Sequence, residues 1–201
     1  MRLVSPLFLS AACCATFVSA SLAQNAAATK QTPPVTQQIA AAVTALPEDL
    51  RAGAAVLGYG ADGKLTSFRA GKNDMICLGQ KPSETKFHSA CYHKAMEPFM
   101  ARGRELREQG VKDAQVDTVR FAEVKSGKLK MPSSPTMLYQ IFGGTFDPAT
   151  STVTGGQWLY VTYIPFATSA TTGLSDKGRD NGPWIMYPGT PKAHIMFSVG
   201  M

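Results

Sequence analysis

Between Cys77 and His93 the chain reads C-L-G-Q-K-P-S-E-T-K-F-H-S-A-C-Y-H, which gathers two cysteines and two of the protein's three histidines into one short segment. Two kinds of chemistry can use it. Thiols in an oxidising compartment pair, and a Cys77–Cys91 bridge would close a loop of about 15 residues, worth about 3 kcal/mol through the unfolded chain's lost freedom. Alternatively, Cys77, His88, Cys91 and His93 supply the thiolate and imidazole donors that zinc or copper takes. Helical geometry works against that second use. At roughly 100° per residue, His88 and Cys91 share a helix face while Cys91 and His93 point nearly oppositely, so all four converge only if the helix begins after His93. A variant set, His93, Met96 and Met100, shares one helical face and suits copper(I) or a haem iron, although methionine at such spacing more often fills a core. The bridge is the simpler reading, with no cofactor; zinc or copper is the alternative.

His194, the third histidine, stands in an apolar run. A histidine there is usually bonded to backbone. If it met His88 or His93 beside an acidic group, the three would form a polar site of hydrolase type. Other motifs give less. Gly58-Tyr59-Gly60-Ala61-Asp62-Gly63 matches a dinucleotide fingerprint, but the last glycine opens an alternating strand instead of a helix, which makes the motif a hairpin. Ser83-Glu84-Thr85-Lys86 matches the S-x-x-K of penicillin-binding enzymes without their companion motifs.

The compartment follows from the start of the chain. Met1-Arg2, an apolar run from Leu3 to Val18 and Ser21-Leu22-Ala23 form a secretory signal pattern, with cleavage expected near Ala23. The run is about 16 residues long and interrupted, too short to span a membrane comfortably. Lipidation at Cys13 is the rival processing; the residues before it lack the expected leucine. Removing residues 1–23 of 201 takes away one of the 20 basic residues (Arg2) and none of the 14 acidic ones, so 178 residues remain with 19 basic against 14 acidic groups. A periplasmic or secreted chain with one lone cysteine pair is the expectation. The surplus of positive charge allows a weak attraction to anionic envelope components. Aromatic residues do not alternate with the basic ones, so no specific nucleic-acid binding is expected.

These side chains need elements to hold them. Residues 24–34 are small, polar and proline-terminated, a disordered leader; residues 35–201 read as one domain. Thr36–Leu46 has a helical period, and Pro47-Glu48-Asp49 suits the first turn of another short helix. Ala54–Tyr59, Lys64–Arg69, Met75–Leu78, Thr136–Phe142, Gln157–Ile164, Trp184–Tyr187 and His194–Val199 read as strands. Ser89–Gln109 carries a helical stripe of Tyr92, Met96, Phe99, Gly103 and Leu106, interrupted by Pro98, which gives one kinked helix or two shorter ones. Asp113–Val124 reads as a further helix. Strands on either side of a helical insert, without alternation, point to an α+β fold with a mainly antiparallel sheet and a long helix packed on it. In that frame the bridge ties a strand to the first turn of the main helix.

Asp62-Gly63-Lys64, Arg69-x-Gly71-x-Asn73, Cys77-Leu78, a second cysteine beyond a proline-containing loop, Gly182-Pro183-Trp184-Ile185-Met186 and Pro191-x-x-His194-Ile195-Met196 together resemble a group of secreted bacterial proteins of uncharacterised function. The resemblance covers about half the mature chain and implies a paired role for the two cysteines. It brings no activity. A disulfide-stapled binding or structural module is therefore expected, with a metal-handling protein or hydrolase using the Cys77–His93 segment and His194 as the alternative.

Overall fold

A computed structural model describes residues 1, 32–179 and 182–199; the cleavage site at Ala23, Cys13 and most of the leader lie outside them. Eight strands form one sheet in the order β2-β1-β3-β4-β5-β8-β10-β9. The strands are β1 (Ala55–Tyr59), β2 (Leu65–Arg69), β3 (Met75–Leu78), β4 (His88–His93), β5 (Thr136–Phe142), β8 (Gln157–Tyr163), β9 (Trp184–Met186) and β10 (His194–Val199). β1 and β3 run parallel; the other neighbours are antiparallel. A small hairpin, β6 (Thr145–Asp147) with β7 (Thr152–Thr154), stands beside it. The fold is α+β, as the grouping of strands predicts.

Helices cover both faces, because successive residues of a strand point to opposite sides. On one face, helix α1 (Val35–Ala42), its 3-10 extension to Ala45 and the short helix α2 (Glu48–Arg51) bury Ala42, Val43 and Leu46 against Val56, Met75, Cys77, Cys91 and Ile141. On the other, α3 (Glu97–Glu108) and α4 (Asp113–Lys125) lay Phe99, Phe121 and Val124 over Tyr92, Leu138, Val161 and Tyr163. A four-residue helix, α5 (Ser169–Thr172), follows β8 and is closed by a Thr168–Thr171 capping box.

The helix expected from Ser89 starts later. Residues 88–93 are the strand β4, one 3-10 turn follows over Lys94–Met96, and α3 begins at Glu97 with Pro98 in its first turn. Met96, Phe99, Gly103 and Leu106 do form a helical stripe, and Tyr92 enters the same core from a strand, so the period continues across the boundary by coincidence. Nothing within His88–His93 is β-branched; pairing on both sides, to β3 and to β5, makes it a strand.

The glycine-rich match at 58–63 is the β1–β2 hairpin, with Tyr59 opposite Leu65. The Arg69-x-Gly71-x-Asn73 segment carries the chain from β2 across the end of β1 to β3. Arg69 donates to the Ala54 and Arg51 carbonyls, at 2.9 and 2.6 Å, and Asn73 Nδ2 donates to the Leu50 carbonyl at 2.9 Å. A Cβ at Gly71 would sit 3.1 Å from Ala55 Cβ, so the crossing is that close because the residue has no side chain. The motif is accounted for by architecture.

Candidate functional site

Cys77 and Cys91 are directly opposite each other on β3 and β4 and are joined by a disulfide, both sulfurs fully buried. The bridge therefore joins neighbouring strands; it does not tie a strand to a helix. It also removes both thiolates from the alternative ligand set. Ser89 Oγ donates to the Ala42 carbonyl at 2.7 Å, and Cys91 Sγ lies 3.2 Å from the same oxygen, which docks α1 on the stapled hairpin.

The three histidines do not meet. His88 and His93 occupy opposite faces of β4, as an odd separation along a strand requires. His88 stacks on Phe142 with ring centroids 4.8 Å apart, and its Nδ1 lies 3.6 Å from Glu84. His93 Nδ1 accepts from the Ala95 N–H at 3.2 Å, while Nε2 lies 3.7 Å from Asp74 Oδ2. His194 is on β10, three strands away from β4 and so roughly 14 Å from it at about 4.8 Å per strand. Its Nδ1 is 2.7 Å from the Lys192 carbonyl, the backbone-bonded arrangement. The residues Met96 and Met100 of the helical copper variant both pack in the core with Phe99 and Leu138. Among the described residues, no three His, Cys, Asp or Glu side chains are grouped to hold a metal ion.

His194 does belong to a polar cluster that the sequence does not announce. Asp117 of α4 accepts from the guanidinium of Arg120 on its own helix and, at 2.8 Å, from Lys192 Nζ, 75 residues further on. Arg120 is 4% exposed; it also donates to the Phe99 carbonyl at 3.1 Å and lies over the Phe99 ring at 3.8 Å. Gly103 of α3 makes this possible, since a Cβ there would come within 2.8 Å of Arg120 Nη1. Lys192 Nζ sits 4.4 Å above the Tyr187 ring, and His194 packs between Tyr163 at 4.9 Å and Tyr187 at 5.8 Å.

Burial sets the electrostatics. It would raise the Asp117 carboxyl, but the hydrogen bonds from Lys192 and Arg120 outweigh it and hold Asp117 below its ordinary 3.8. Burial lowers His194 below 6.5 and pushes the Tyr163 hydroxyl up to about 12. Both Asp117 and His194 therefore protonate at lower pH in the folded chain than in the unfolded one. On acidification the unfolded chain takes up protons first, so stability should fall in two stages, first below about pH 6.5 and then below about pH 3.8. Urea midpoints at several pH values would follow this, and His194→Gln should flatten the upper stage alone; an unchanged upper stage would assign it elsewhere.

A cavity of about 510 Å³ opens beside this cluster, lined by Arg107, Asp113, Asp117, Phe121, Tyr187 and Lys192 among others. One turn further along α4 lies a second, about 590 Å³, walled by Val124, Leu129, Pro132, Ile164, Pro165 and Phe166. Phe166 and Tyr187 are 54% and 42% exposed, and both have left-handed backbone, φ 65° and 54°. That conformation is costly for an aromatic residue and is concentrated at functional sites. Their loops are laced together: Phe166 N–H donates to the Thr190 carbonyl, Gly189 N–H to Ala167, and Thr190 N–H to Tyr187. The two cavities thus follow one another along α4, one charged and one apolar, each with an exposed aromatic in its wall. One signal for it was present in the sequence: Arg120 falls on the stripe of Val116, Val119 and Val124, where a charge must have a partner. Lys192 and the backbone of Phe166 and Tyr187 left no such trace.

Searches with protein-family models, against curated proteins and against solved structures find no match to this chain.

Proposed function

We propose that the protein is a periplasmic or secreted binding module that takes an amphipathic carboxylate in the groove along α4. The observation that carries this reading is the pair of exposed, left-handed aromatics, Phe166 and Tyr187, each lining one of the two cavities along α4. A disulfide suits an oxidising compartment, and among the described residues no helix is long and apolar enough to cross a membrane.

Ligand class follows from charge. Asp117 is shared by Arg120 and Lys192. Asp113 also lines the polar end, but Arg107 donates to the Gly103 carbonyl of its own helix and forms no ion pair among the described residues; with Arg120 and Lys192 it makes three cations against the two carboxylates Asp113 and Asp117. An anionic head at Arg107 and an acyl chain along Phe121, Val124, Pro165 and Phe166 fit that gradient. Ala114 to Val124 spans about 15 Å of helix, the scale of a fatty-acid-like chain.

The probe is 11-(dansylamino)undecanoate, titrated into the mature chain by fluorescence. Saturable binding is expected, weakened roughly tenfold by Arg107→Glu and by Phe166→Ser, the size of one contact of about 1.4 kcal/mol. Lys64→Glu, in the β1–β2 turn and away from both cavities, should leave binding unchanged. Non-saturable uptake, or equal affinity in all four proteins, would overturn the reading.

A further inference from the structure

A third cavity, about 700 Å³, lies on the far side of the Met131–Pro135 segment and is lined by Met75, His93, Met131 and Met137 together with serines and Tyr139. Met75 faces His93 across the β3–β4 ladder. Continuing the β4–β5 ladder one step beyond Tyr92 and Leu138 sets His93 opposite Met137. The three side chains therefore form a row across three adjacent strands, at the strand spacing of about 4.8 Å. They share the face that carries Cys77 and Cys91, and Met131 reaches the cavity from the loop while also packing on the core of the opposite face. No carboxylate lines the cavity.

An imidazole flanked by thioethers is a soft donor set. It suits copper(I) far better than calcium, magnesium or manganese, which take oxygen ligands, and better than zinc, which takes thiolate, imidazole or carboxylate. We propose that this cavity is a copper(I) site, with the Met75, Met131 and Met137 thioethers and the His93 ring as ligands. This differs from both metal sets that the sequence suggests: it uses neither cysteine, and its methionines come from two strands and a loop.

The surroundings of His93 suit the role. A ligating histidine commonly turns its second N–H to a carboxylate, which fixes the ring. Nε2 lies 3.7 Å from Asp74 Oδ2, just outside hydrogen-bond reach, while Asp74 Oδ1 is held by Lys94 at 2.7 Å; a small ring shift would bring the Nε2 N–H onto Oδ2 and leave Nδ1 as the donor to the ion. Its present partner is the Ala95 N–H at 3.2 Å, a long bond that the metal replaces, and Ala95 itself lines the cavity. Met137 Sδ accepts from Thr162 Oγ1 at 3.0 Å, which orients that sulfur and leaves its second lone pair for the ion. Met75 is 6% exposed, so its sulfur is fixed by packing. The ion enters and leaves as Cu⁺, with no electron transferred.

The test is an anaerobic competition of the full mature chain against bicinchoninate for Cu⁺, paired with methionine-methyl NMR in which Ag⁺ serves as a redox-inert probe. One equivalent of Cu⁺ is expected, with Ag⁺ shifting the methyls of Met75, Met131 and Met137. Met131→Leu and Met137→Leu should each lower affinity at least tenfold at unchanged melting temperature. Met75→Leu is avoided because that side chain also fills the core. Asp74→Asn should weaken binding roughly tenfold, the scale of an outer-sphere partner. Failure to compete with bicinchoninate, silver shifts at other methionines, or wild-type affinity in Met131→Leu/His93→Asn would each overturn the site. Met131 also lines the apolar cavity beside α4, but Met75 and Met137 do not, so Met137→Leu and the silver shifts of Met75 and Met137 keep the copper site and the α4 ligand reading separable.

Discussion

Replacing Asp117 with Ala should cost about 3–5 kcal/mol of stability, the largest loss expected from a single polar substitution in this chain. The carboxylate joins two cations, and Arg120 is 4% exposed, so its removal leaves a guanidinium inside the protein with only the Phe99 carbonyl and ring as company. Lys192 is better placed, because its partly exposed ammonium can turn to water. The asymmetry gives a discriminating comparison. Arg120→Met should cost less than Asp117→Ala, since Asp117 keeps Lys192, and the double variant Asp117→Leu/Arg120→Met should recover most of the loss. Urea denaturation of the four proteins reads this directly. A loss below about 1 kcal/mol for Asp117→Ala would mean that the pair behaves as a surface ion pair despite the burial of Arg120.

The second large effect belongs to the disulfide. Replacing Cys77 and Cys91 together with Ala should lower stability by about 3 kcal/mol, from the freedom regained by the unfolded chain over the loop that the bridge closes. For a chain of this size that corresponds to a fall in melting temperature of about 6–12 °C. The strands pair through their backbones whether or not the bond is present, so the sheet should survive. Near-UV and far-UV circular dichroism of the double variant would show it folded at low temperature. If the bridge carried the fold, the variant would be unfolded throughout; if it carried nothing, the two melting curves would coincide.

Strand positions were legible wherever pairing and burial agreed with local pattern. The runs at 55–59, 65–69, 75–78, 136–142, 157–163, 184–186 and 194–199 all alternate or are rich in branched and aromatic residues, and all are strands. The segment 88–93 is the exception, and its error propagated. Read as helix, it set Cys91 and His93 on opposite sides; read as strand, it sets them on one side, with Met75 and Met137 in line. Local pattern failed there because Ala90 and Ser89 have no strand preference and the neighbours that impose one come from residues 75–78 and 136–142. The hairpin of β6 and β7 was missed because each strand has three residues, too few for a period.

The α4 groove was less visible still. Its charged end joins Asp117 to a lysine 75 residues away, and its aromatics owe their exposure to backbone conformation. Neither leaves a spacing that can be read along the chain. The disulfide was legible because it needed only two cysteines and a compartment.

The burial of that disulfide gives the molecule a clock. Both sulfurs are fully covered, one by the floor of α1 and the sheet, so a dissolved thiol can attack only after α1 lifts or β3 and β4 part. The rate at which a reductant cleaves the bond in folded protein is then set by how often that corner opens. Followed over time at increasing reductant, the cleavage rate should level off at the opening rate itself. One chemical bond would thereby time the breathing of the region that holds the first helix to the sheet.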